Sequence, residues 1–211
     1  MLAEAAGDGS AFVLATAAAG QRPDLAVRHA VEWFGGLGLR VEELPATTRE
    51  LAESPEIAAR AREGRFFYLV GGDPRLVPAT LSDTPVWEAI VNAWRGGAAL
   101  AGASAGAMAL CEWTLLPDQG GRAYAPGLNL VPRSVILPHF DTFGASWAEA
   151  AVGDAPDDDV VLIGPDERSA AVWHDGVWRA LGDGGVTVIA DGSRQRYEPG
   201  EVVAGLSEPT A

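Results

Sequence analysis

A single hydroxyl group stands in the run of small residues at positions 102–107, Gly-Ala-Ser-Ala-Gly-Ala, with apolar residues on both sides. The G-x-S-x-G spacing is typical of a serine nucleophile on a sharp strand-to-helix turn, where small neighbours let a strained backbone fit. The competing explanation is a junction at which a helix packs closely on a strand. Ser104 is therefore a candidate nucleophile for acyl transfer.

Attack by Ser104 on a carbonyl group would create an oxyanion, which requires N–H donors. The N–H of Ala105 is the natural first donor because it opens the helix predicted to follow, and the first N–H groups of a helix lack intrahelical acceptors. A second donor could come from Gly71-Gly72, which end the neighbouring predicted strand.

A serine nucleophile also needs a base, and the sequence has three histidines. His29 lies inside a predicted helix, and His174 lies in a predicted hairpin turn. His139 follows the predicted strand Val-Ile-Leu-Pro at 135–138, so only His139 is expected at the same sheet edge as Ser104. Its alternative role is that of a buried, hydrogen-bonded histidine at a strand end.

The imidazole of such a base is normally oriented by a carboxylate. Asp141 is too close to His139 in sequence to reach its ring easily, and Asp118 is a further candidate. Asp166 and Glu167 follow the predicted strand Val-Val-Leu-Ile at 160–163, again at a strand end. That position favours Asp166 or Glu167.

The elements that must position these residues alternate between strand and helix. Apolar runs predict strands at 11–17, 39–44, 65–72 and 98–102, and capping and proline patterns predict helices that begin at Pro23, Pro55 and Pro85 and after Ser104. Such alternation predicts a parallel sheet with helices on both faces and a site at the carboxyl ends of the strands.

The pattern changes after residue 115. Residues 116–134 are polar and rich in glycine and proline, and we interpret them as a long functional loop. A short strand at 135–141 ends near His139. The C-terminal part reads as strands with Asp-Gly turns at 175–176 and 191–192, which predicts an antiparallel patch on the parallel sheet. The chain has 211 residues and no internal repeat, so we predict one domain over 1–211.

Composition excludes several classes of partner. The net charge is −14, from 15 Lys and Arg against 29 Asp and Glu, which disfavours nucleic acid and anionic membranes. One cysteine, Cys111, excludes an intrachain disulfide and a cysteine-based metal site. The apolar stretch 11–20 has no positive charge before it, so we expect no export signal and a cytoplasmic protein.

Four separated segments carry a resemblance to a known family: FYLVGGDPRLV, GASAGA, ILPHFD and IGPDERSAAVW. Their order and spacing resemble the dipeptidase E and cyanophycinase family of serine peptidases over roughly residues 11–190. The resemblance implies a class I glutamine-amidotransferase-like fold, which is a flavodoxin-like three-layer α/β sandwich. It also implies hydrolysis of small peptides without a metal or cofactor, by a monomer or homodimer.

The same resemblance implies a role for each matching residue. Ser104 would be the nucleophile, His139 the base and Glu167 the acid that orients the imidazole, with Asp118 as the alternative acid. The backbone N–H groups of Gly72 and Ala105 would form the oxyanion hole.

The resembled family acts at aspartyl bonds, and an acidic substrate would need local positive charge on this acidic protein. Arg75, Arg133 and Arg168 lie in or beside the four segments, and Asp73 is a further candidate for substrate binding. The competing explanation for each arginine is a solvated surface side chain. The sequence departs from the family where Asp73-Pro74 replaces Asn-Gln or Asp-Gln, and where Met108 replaces an asparagine.

Two other functions fit the residues. A binding or regulatory member of the same fold would use the small-residue turn for packing alone. An esterase with the chain order serine, acid, histidine would use His174 with Asp141 or Asp154.

Overall fold

The computed structural model describes residues 7, 9–118, 121–153, 155–157 and 159–210, without the side chains of 117, 118, 121, 122, 149, 150, 152 and 153. The chain divides into two compact units. The first comprises the described residues up to 107, and the second comprises the described residues from 108 to 210.

The first unit alternates strands with helices. Its strands are β1 (Ser10–Leu14), β2 (Glu42–Glu43), β3 (Gly64–Leu69) and β4 (Ala99–Gly102). Its helices are α1 (Pro23–Gly36), α2 (Arg49–Ala52), α3 (Pro55–Arg62), α4 (Leu76–Leu81) and α5 (Pro85–Arg95), while α6 (Ala105–Leu110) begins in this unit. The strands form a parallel sheet in the order β2-β1-β3-β4.

Two helix starts follow directly from local sequence. The hydroxyls of Ser54 and Thr84 accept the backbone N–H of Ile57 and Trp87, and a proline stands at the first position of each helix. Such caps satisfy N–H groups that have no intrahelical acceptor. The predicted starts of α3 and α5 at Pro55 and Pro85 are therefore confirmed.

Aromatic packing fixes the sheet of the first unit. Phe34 on α1 packs edge-on against Phe66 and Tyr68 of β3, with ring centroids 5.1 and 5.0 Å apart. Phe12 of β1 stacks on Phe67 at 5.9 Å. Each fully buried ring of this kind contributes about 1.5–3 kcal/mol through burial alone. This packing holds β3, from whose carboxyl end the glycine loop departs.

The second unit is dominated by strands. They are β5 (Cys111–Asp118), β6 (Gly121–Pro126), β7 (Val131–Ile136), β8 (Val161–Pro165), β9 (Ser169–His174), β10 (Val177–Gly182), β11 (Val186–Ala190), β12 (Ser193–Tyr197) and β13 (Val202–Val203). A π-helical turn (Phe140–Gly144) leads into α7 (Ala145–Gly153). One sheet has the order β12-β11-β8-β7-β5-β6, in which β5, β7 and β8 are parallel. The other, β13-β10-β9, is antiparallel.

The two predicted hairpin turns have the backbone that Asp-Gly favours. Asp175 and Gly176 join β9 to β10 with φ of 51° and 76°, and Asp191 and Gly192 join β11 to β12 with φ of 50° and 70°. Positive φ at both central residues matches the twist of the flanking strands. The predicted fold class, an α/β fold with a mostly parallel sheet and a C-terminal antiparallel patch, is confirmed.

The prediction of a long loop at 116–134 is wrong. Strands β5 and β6 form an antiparallel hairpin in which Leu115 pairs with Tyr124 and Asp118 with Gly121, and β7 already begins at Val131. The prolines and glycines at 117, 120, 121 and 126 interrupt the apolar alternation, so the sequence pattern does not indicate the hairpin. The helix after Ser104 ends at Leu110, because Cys111 opens β5 and pairs with Val131.

Within the described part of the chain, the helices are too short or too polar for any of them to cross a membrane.

Candidate active site

Ser104 occupies a strained turn between strand and helix. It follows the end of β4 at Gly102, precedes the first residue of α6, and has a φ of 48°. A non-glycine residue in the left-handed region is uncommon and persists only where its surroundings enforce it. The side chain is half-buried. This is the backbone expected of a serine raised from a sheet edge.

The glycines beside Ser104 are required by close backbone contacts. A Cβ on Gly102 would lie 2.5 Å from the carbonyl carbon of Gly106, and a Cβ on Gly106 would lie 2.3 Å from the carbonyl oxygen of Leu69. Helix α6 therefore passes directly over the ends of β3 and β4. Close packing and a strained serine occur together here, so the packing explanation does not compete with the catalytic one.

The Gly71-Gly72 loop lies beside the serine within the first unit. A Cβ on Gly71 would be 3.3 Å from the Cβ of Ser104. Gly72 has a φ of 149°, and a Cβ there would lie 2.2 Å from the carbonyl oxygen of Ala17. The next N–H, that of Asp73, donates to the same oxygen at 2.8 Å. Position 72 therefore admits only glycine, and position 71 leaves little room for a side chain beside the serine turn.

His139 follows β7 and also adopts a left-handed backbone, with a φ of 55°. Its carbonyl oxygen accepts the N–H groups of Thr142, Phe143 and Gly144 at 3.0–3.1 Å, and the hydroxyl of Thr142 at 3.0 Å. The tight turn at Phe140–Gly144 thus closes onto His139. The ring of Phe143 lies 5.1 Å from the imidazole. The position of the imidazole is therefore set by a rigid local turn.

Glu167 is the carboxylate that meets the imidazole. Its Oε1 lies 2.5 Å from Nδ1 of His139, in the loop between β8 and β9. The sequence left Asp166 and Glu167 open as the orienting acid, and the geometry selects Glu167 as the partner of this ring.

Asp166 has a different, structural environment. Its buried Oδ2 accepts from the Arg196 guanidinium at 2.7 Å and from the Gly185 N–H at 2.9 Å. Burial raises the pKa of this carboxyl, but the bonds from Arg196 and Gly185 outweigh burial, and its pKa is lowered. The alternative acid Asp118 ends β5, and its side chain lies outside the described residues.

Asp141 contacts the candidate acid in a way that the sequence did not indicate. It lies two positions after His139 in the tight turn, and its Oδ1 accepts the backbone N–H of Glu167 at 3.0 Å. Its closeness to His139 in sequence disfavours contact with the ring, and its hydrogen bond is to the main chain of Glu167 instead. The only signal in the sequence was its place at the same strand end as His139.

The candidate substrate-binding residues Asp73 and Arg75 bind each other. The Arg75 guanidinium lies 2.6 Å from Asp73 Oδ2 and also bonds Oδ1, and the backbone N–H of Arg75 donates to Oδ1. The bond from Arg75 holds the pKa of Asp73 below its usual value. Much of the positive charge of Arg75 is therefore balanced within its own loop.

The two other arginines also have acidic neighbours. Arg168 pairs with Asp183 at 2.9 Å, with both side chains largely exposed. Arg133 lies 3.7 Å from Asp159, and its guanidinium donates to the Ser207 hydroxyl. Exposed pairs of this kind are weak, so both guanidinium groups remain available to an anion.

The remaining histidines have the surroundings predicted for them. His29 is exposed on α1, and His174 is 67% exposed and faces its neighbour Asp175 at the hairpin tip. Cys111 is fully buried, which raises the pKa of its thiol to about 12. Among the residues that the structure describes, no group of three His, Cys, Asp or Glu side chains is arranged to hold a metal ion.

The predicted site residues therefore form two groups. Ser104, Ala105 and Gly72 belong to the first unit, and His139 and Glu167 belong to the second. The structure brings together the serine turn with the glycine loop, and the histidine with the glutamate.

Two solved structures similar to this chain are named as a peptidase and a putative peptidase. The crystal structure of a peptidase from an acI-B1 Actinobacterium is similar with a TM-score of 0.83 and 28% identity, covering 96% of this chain and 87% of that one. A putative peptidase E protein from Listeria monocytogenes EGD-e is similar with a TM-score of 0.60 and 18% identity, covering 92% of this chain and 87% of that one. The second likeness shows the fold alone.

The family model of peptidase family S51 matches residues 4–175, and the chain belongs to this family. The family resemblance found in the four sequence segments is thereby confirmed. A curated cyanophycinase from Trichormus variabilis is 32% identical over 195 residues, which are 87% of this chain and 65% of that protein. The chain thus spans about two thirds of that relative's length.

Proposed function

We propose that this protein is a serine peptidase that hydrolyses small peptides. The observation that carries the proposal is the 2.5 Å contact between His139 Nδ1 and Glu167 Oε1, in a chain of peptidase family S51. A histidine held by a carboxylate at one nitrogen is the base that a serine nucleophile needs. The strained backbone of Ser104 supports its role as that nucleophile.

In the proposed mechanism, Glu167 accepts a hydrogen bond from Nδ1–H of His139, so that Nε2 accepts the Ser104 proton. Oγ attacks the scissile carbonyl carbon, and the N–H groups of Gly72 and Ala105 bind the oxyanion. His139 then protonates the leaving amine as the C–N bond breaks. Water, deprotonated by the same imidazole, hydrolyses the acyl-enzyme and releases Ser104.

For the substrate, we propose small peptides with an aspartyl residue at the cleaved bond. Arg168 directly follows Glu167, and its contact with Asp183 joins two largely exposed side chains, so its guanidinium can exchange that partner for a substrate carboxylate. Arg133 lies near the start of β7, at the opposite end of that strand from His139. Arg75 is more fully engaged by Asp73 and would bind a carboxylate only in exchange for that partner. The relatives named cyanophycinase make cyanophycin a second substrate to test.

Hydrolysis assays test this proposal directly. The wild type is incubated with α- and β-aspartyl dipeptides, neutral dipeptides and cyanophycin, and released amines are quantified. Cleavage of aspartyl dipeptides that is lost in Ser104→Ala supports the proposal. Cleavage that persists in Ser104→Ala would contradict it, and cleavage lost in His174→Ala would favour the esterase-type order of residues.

The role proposed for the arginines is tested by comparing acidic and neutral dipeptides as substrates. Arg168→Ala and Arg75→Ala are expected to raise KM for aspartyl dipeptides and to leave neutral dipeptides unaffected. Unchanged kinetics in both variants would show that neither arginine binds the substrate carboxylate. The proposed serine mechanism would be unaffected by that result.

A further inference from the structure

The segment after His139 is joined to the loop that carries Glu167 by one side chain. Oδ1 of Asp141 accepts the Glu167 N–H at 3.0 Å, while Glu167 Oε1 meets His139 Nδ1. The three residues therefore close a small ring of contacts. We propose that Asp141 is a positioning residue that fixes Glu167 against His139, an inference that rests on the proposed function.

The turn that carries Asp141 is itself firmly anchored. Phe140, between His139 and Asp141, is buried, and its ring covers Gly164 so closely that a Cβ there would lie 2.3 Å from the ring. Gly164 belongs to β8, the strand that leads into the Glu167 loop. Asp141 thus projects from a turn that is packed on the same strand that ends at the acid.

The opposite side of the Glu167 loop is held by Asp166, which is bonded to Gly185 and Arg196. Asp166 accepts from β12 and the β10–β11 connection and so fixes where the loop lies. Asp141 accepts from Glu167 itself and so fixes how the glutamate main chain is directed. Of these two carboxylates, Asp141 is the one whose loss changes the position of Glu167 relative to the imidazole.

The contact requires only a hydrogen-bond acceptor at Oδ1, because its donor is a neutral backbone N–H. An asparagine side chain supplies an acceptor of the same reach, whereas alanine supplies none. Serine is too short to reach the same N–H. This difference separates positioning from a role that needs the negative charge.

The test compares Asp141→Asn, Asp141→Ala and Asp141→Ser with the wild type. The rate of phosphonylation of Ser104 by a fluorophosphonate is measured together with kcat and KM for a cleaved dipeptide. We expect the alanine and serine variants to lose about tenfold in kcat and labelling rate, since small misplacements of catalytic groups have large effects. KM should be unchanged, and asparagine should restore the rate. Asp157→Ala, which removes an exposed carboxylate of the same unit, is the matched control.

A double-mutant cycle with Glu167→Gln shows whether Asp141 acts through Glu167. The effect of Asp141→Ala should nearly vanish in the Glu167→Gln background, because residues that act as a unit are not additive. Wild-type rates in the alanine and serine variants, or an equal loss in both backgrounds, would overturn the inference. Absence of labelling in the wild type would instead overturn the proposed function, and this inference with it.

Discussion

At the scale of single residues, both the candidate nucleophile and the candidate base have a strained backbone. Eight non-glycine residues of the described chain have positive φ, and four are Asp or Asn, which tolerate this region. The other four are Ser104, Arg133, His139 and Arg168. All four were singled out from sequence as candidate nucleophile, base or substrate-binding residues. Strain of about 1–3 kcal/mol at each is typical of functional positions.

The first prediction concerns the acid. Glu167→Gln should lower kcat by about 10²–10⁴-fold with little change in KM. The neutral amide of glutamine does not stabilise the imidazolium formed during attack as the carboxylate does. Steady-state kinetics on a cleaved dipeptide measure the effect.

A variant of Asp118, the alternative acid, is the control for Glu167→Gln. Asp118→Asn should retain the wild-type kcat if Glu167 orients the base. A large loss in Asp118→Asn together with a small one in Glu167→Gln would assign the acid to Asp118.

At the scale of elements, the sequence predicted those helix starts and turns that depend on one or two neighbouring residues. The caps at Ser54 and Thr84 and the Asp-Gly turns were readable because one or two residues decide them. The β5–β6 hairpin was missed because its strands contain prolines and glycines, and only pairing across the hairpin reveals them. The hydrogen bond from Glu167 to Asp141 spans 26 residues, so no local pattern indicates it.

The second prediction concerns Gly106, the glycine of α6 that lies against the end of β3. Gly106→Ala should lower the free energy of unfolding by about 1–3 kcal/mol, because the new Cβ meets the Leu69 carbonyl oxygen and the backbone must shift. Urea unfolding gives the difference. Gly36→Ala is the control, because nothing lies within 4 Å of a Cβ there and helix propensity should leave the protein equally or slightly more stable. Equal stability of the two variants would show that α6 does not pack as described.

The third prediction concerns the ion pair under the Glu167 loop. Because the folded state lowers the pKa of Asp166 below its usual value of 3.8, the pair stabilises the protein above that pH. This contribution is lost as the pH falls through the lower pKa of the folded state. Arg196→Ala should therefore cost about 1–3 kcal/mol at pH 7, toward the lower end because Arg196 is half-exposed.

Urea unfolding repeated at low pH shows whether the stabilisation by the Asp166–Arg196 pair falls with pH, as predicted. The difference between wild type and Arg196→Ala should shrink once Asp166 is protonated in both. Glu198→Ala, which removes only the exposed contact of Arg196, is the control. A difference that grows as the pH falls would contradict the assigned direction.

At the scale of the whole molecule, the net charge of −14 opposes an acidic substrate. The fourth prediction is that kcat/KM for an aspartyl dipeptide rises about two- to threefold between low and 0.2 M salt, because screening weakens the repulsion. A neutral dipeptide should show no change. A fall in kcat/KM for the acidic substrate would mean that the local arginines outweigh the net charge.

The division into two compact units also concerns the whole molecule. The prediction that residues 1–211 form one domain stays a prediction, and so does the choice between monomer and homodimer. The proposed nucleophile belongs to one unit, and the proposed base and acid belong to the other.

The most direct test of the central claim is fluorophosphonate labelling followed by mass spectrometry, with Ser104→Ala and His139→Ala measured beside the wild type. The account predicts one adduct on Ser104 in the wild type and none in either variant, because labelling needs both the hydroxyl and the base. An unlabelled wild type, or labelling that persists in His139→Ala, would contradict a serine activated by His139 and would favour a binding role for this fold.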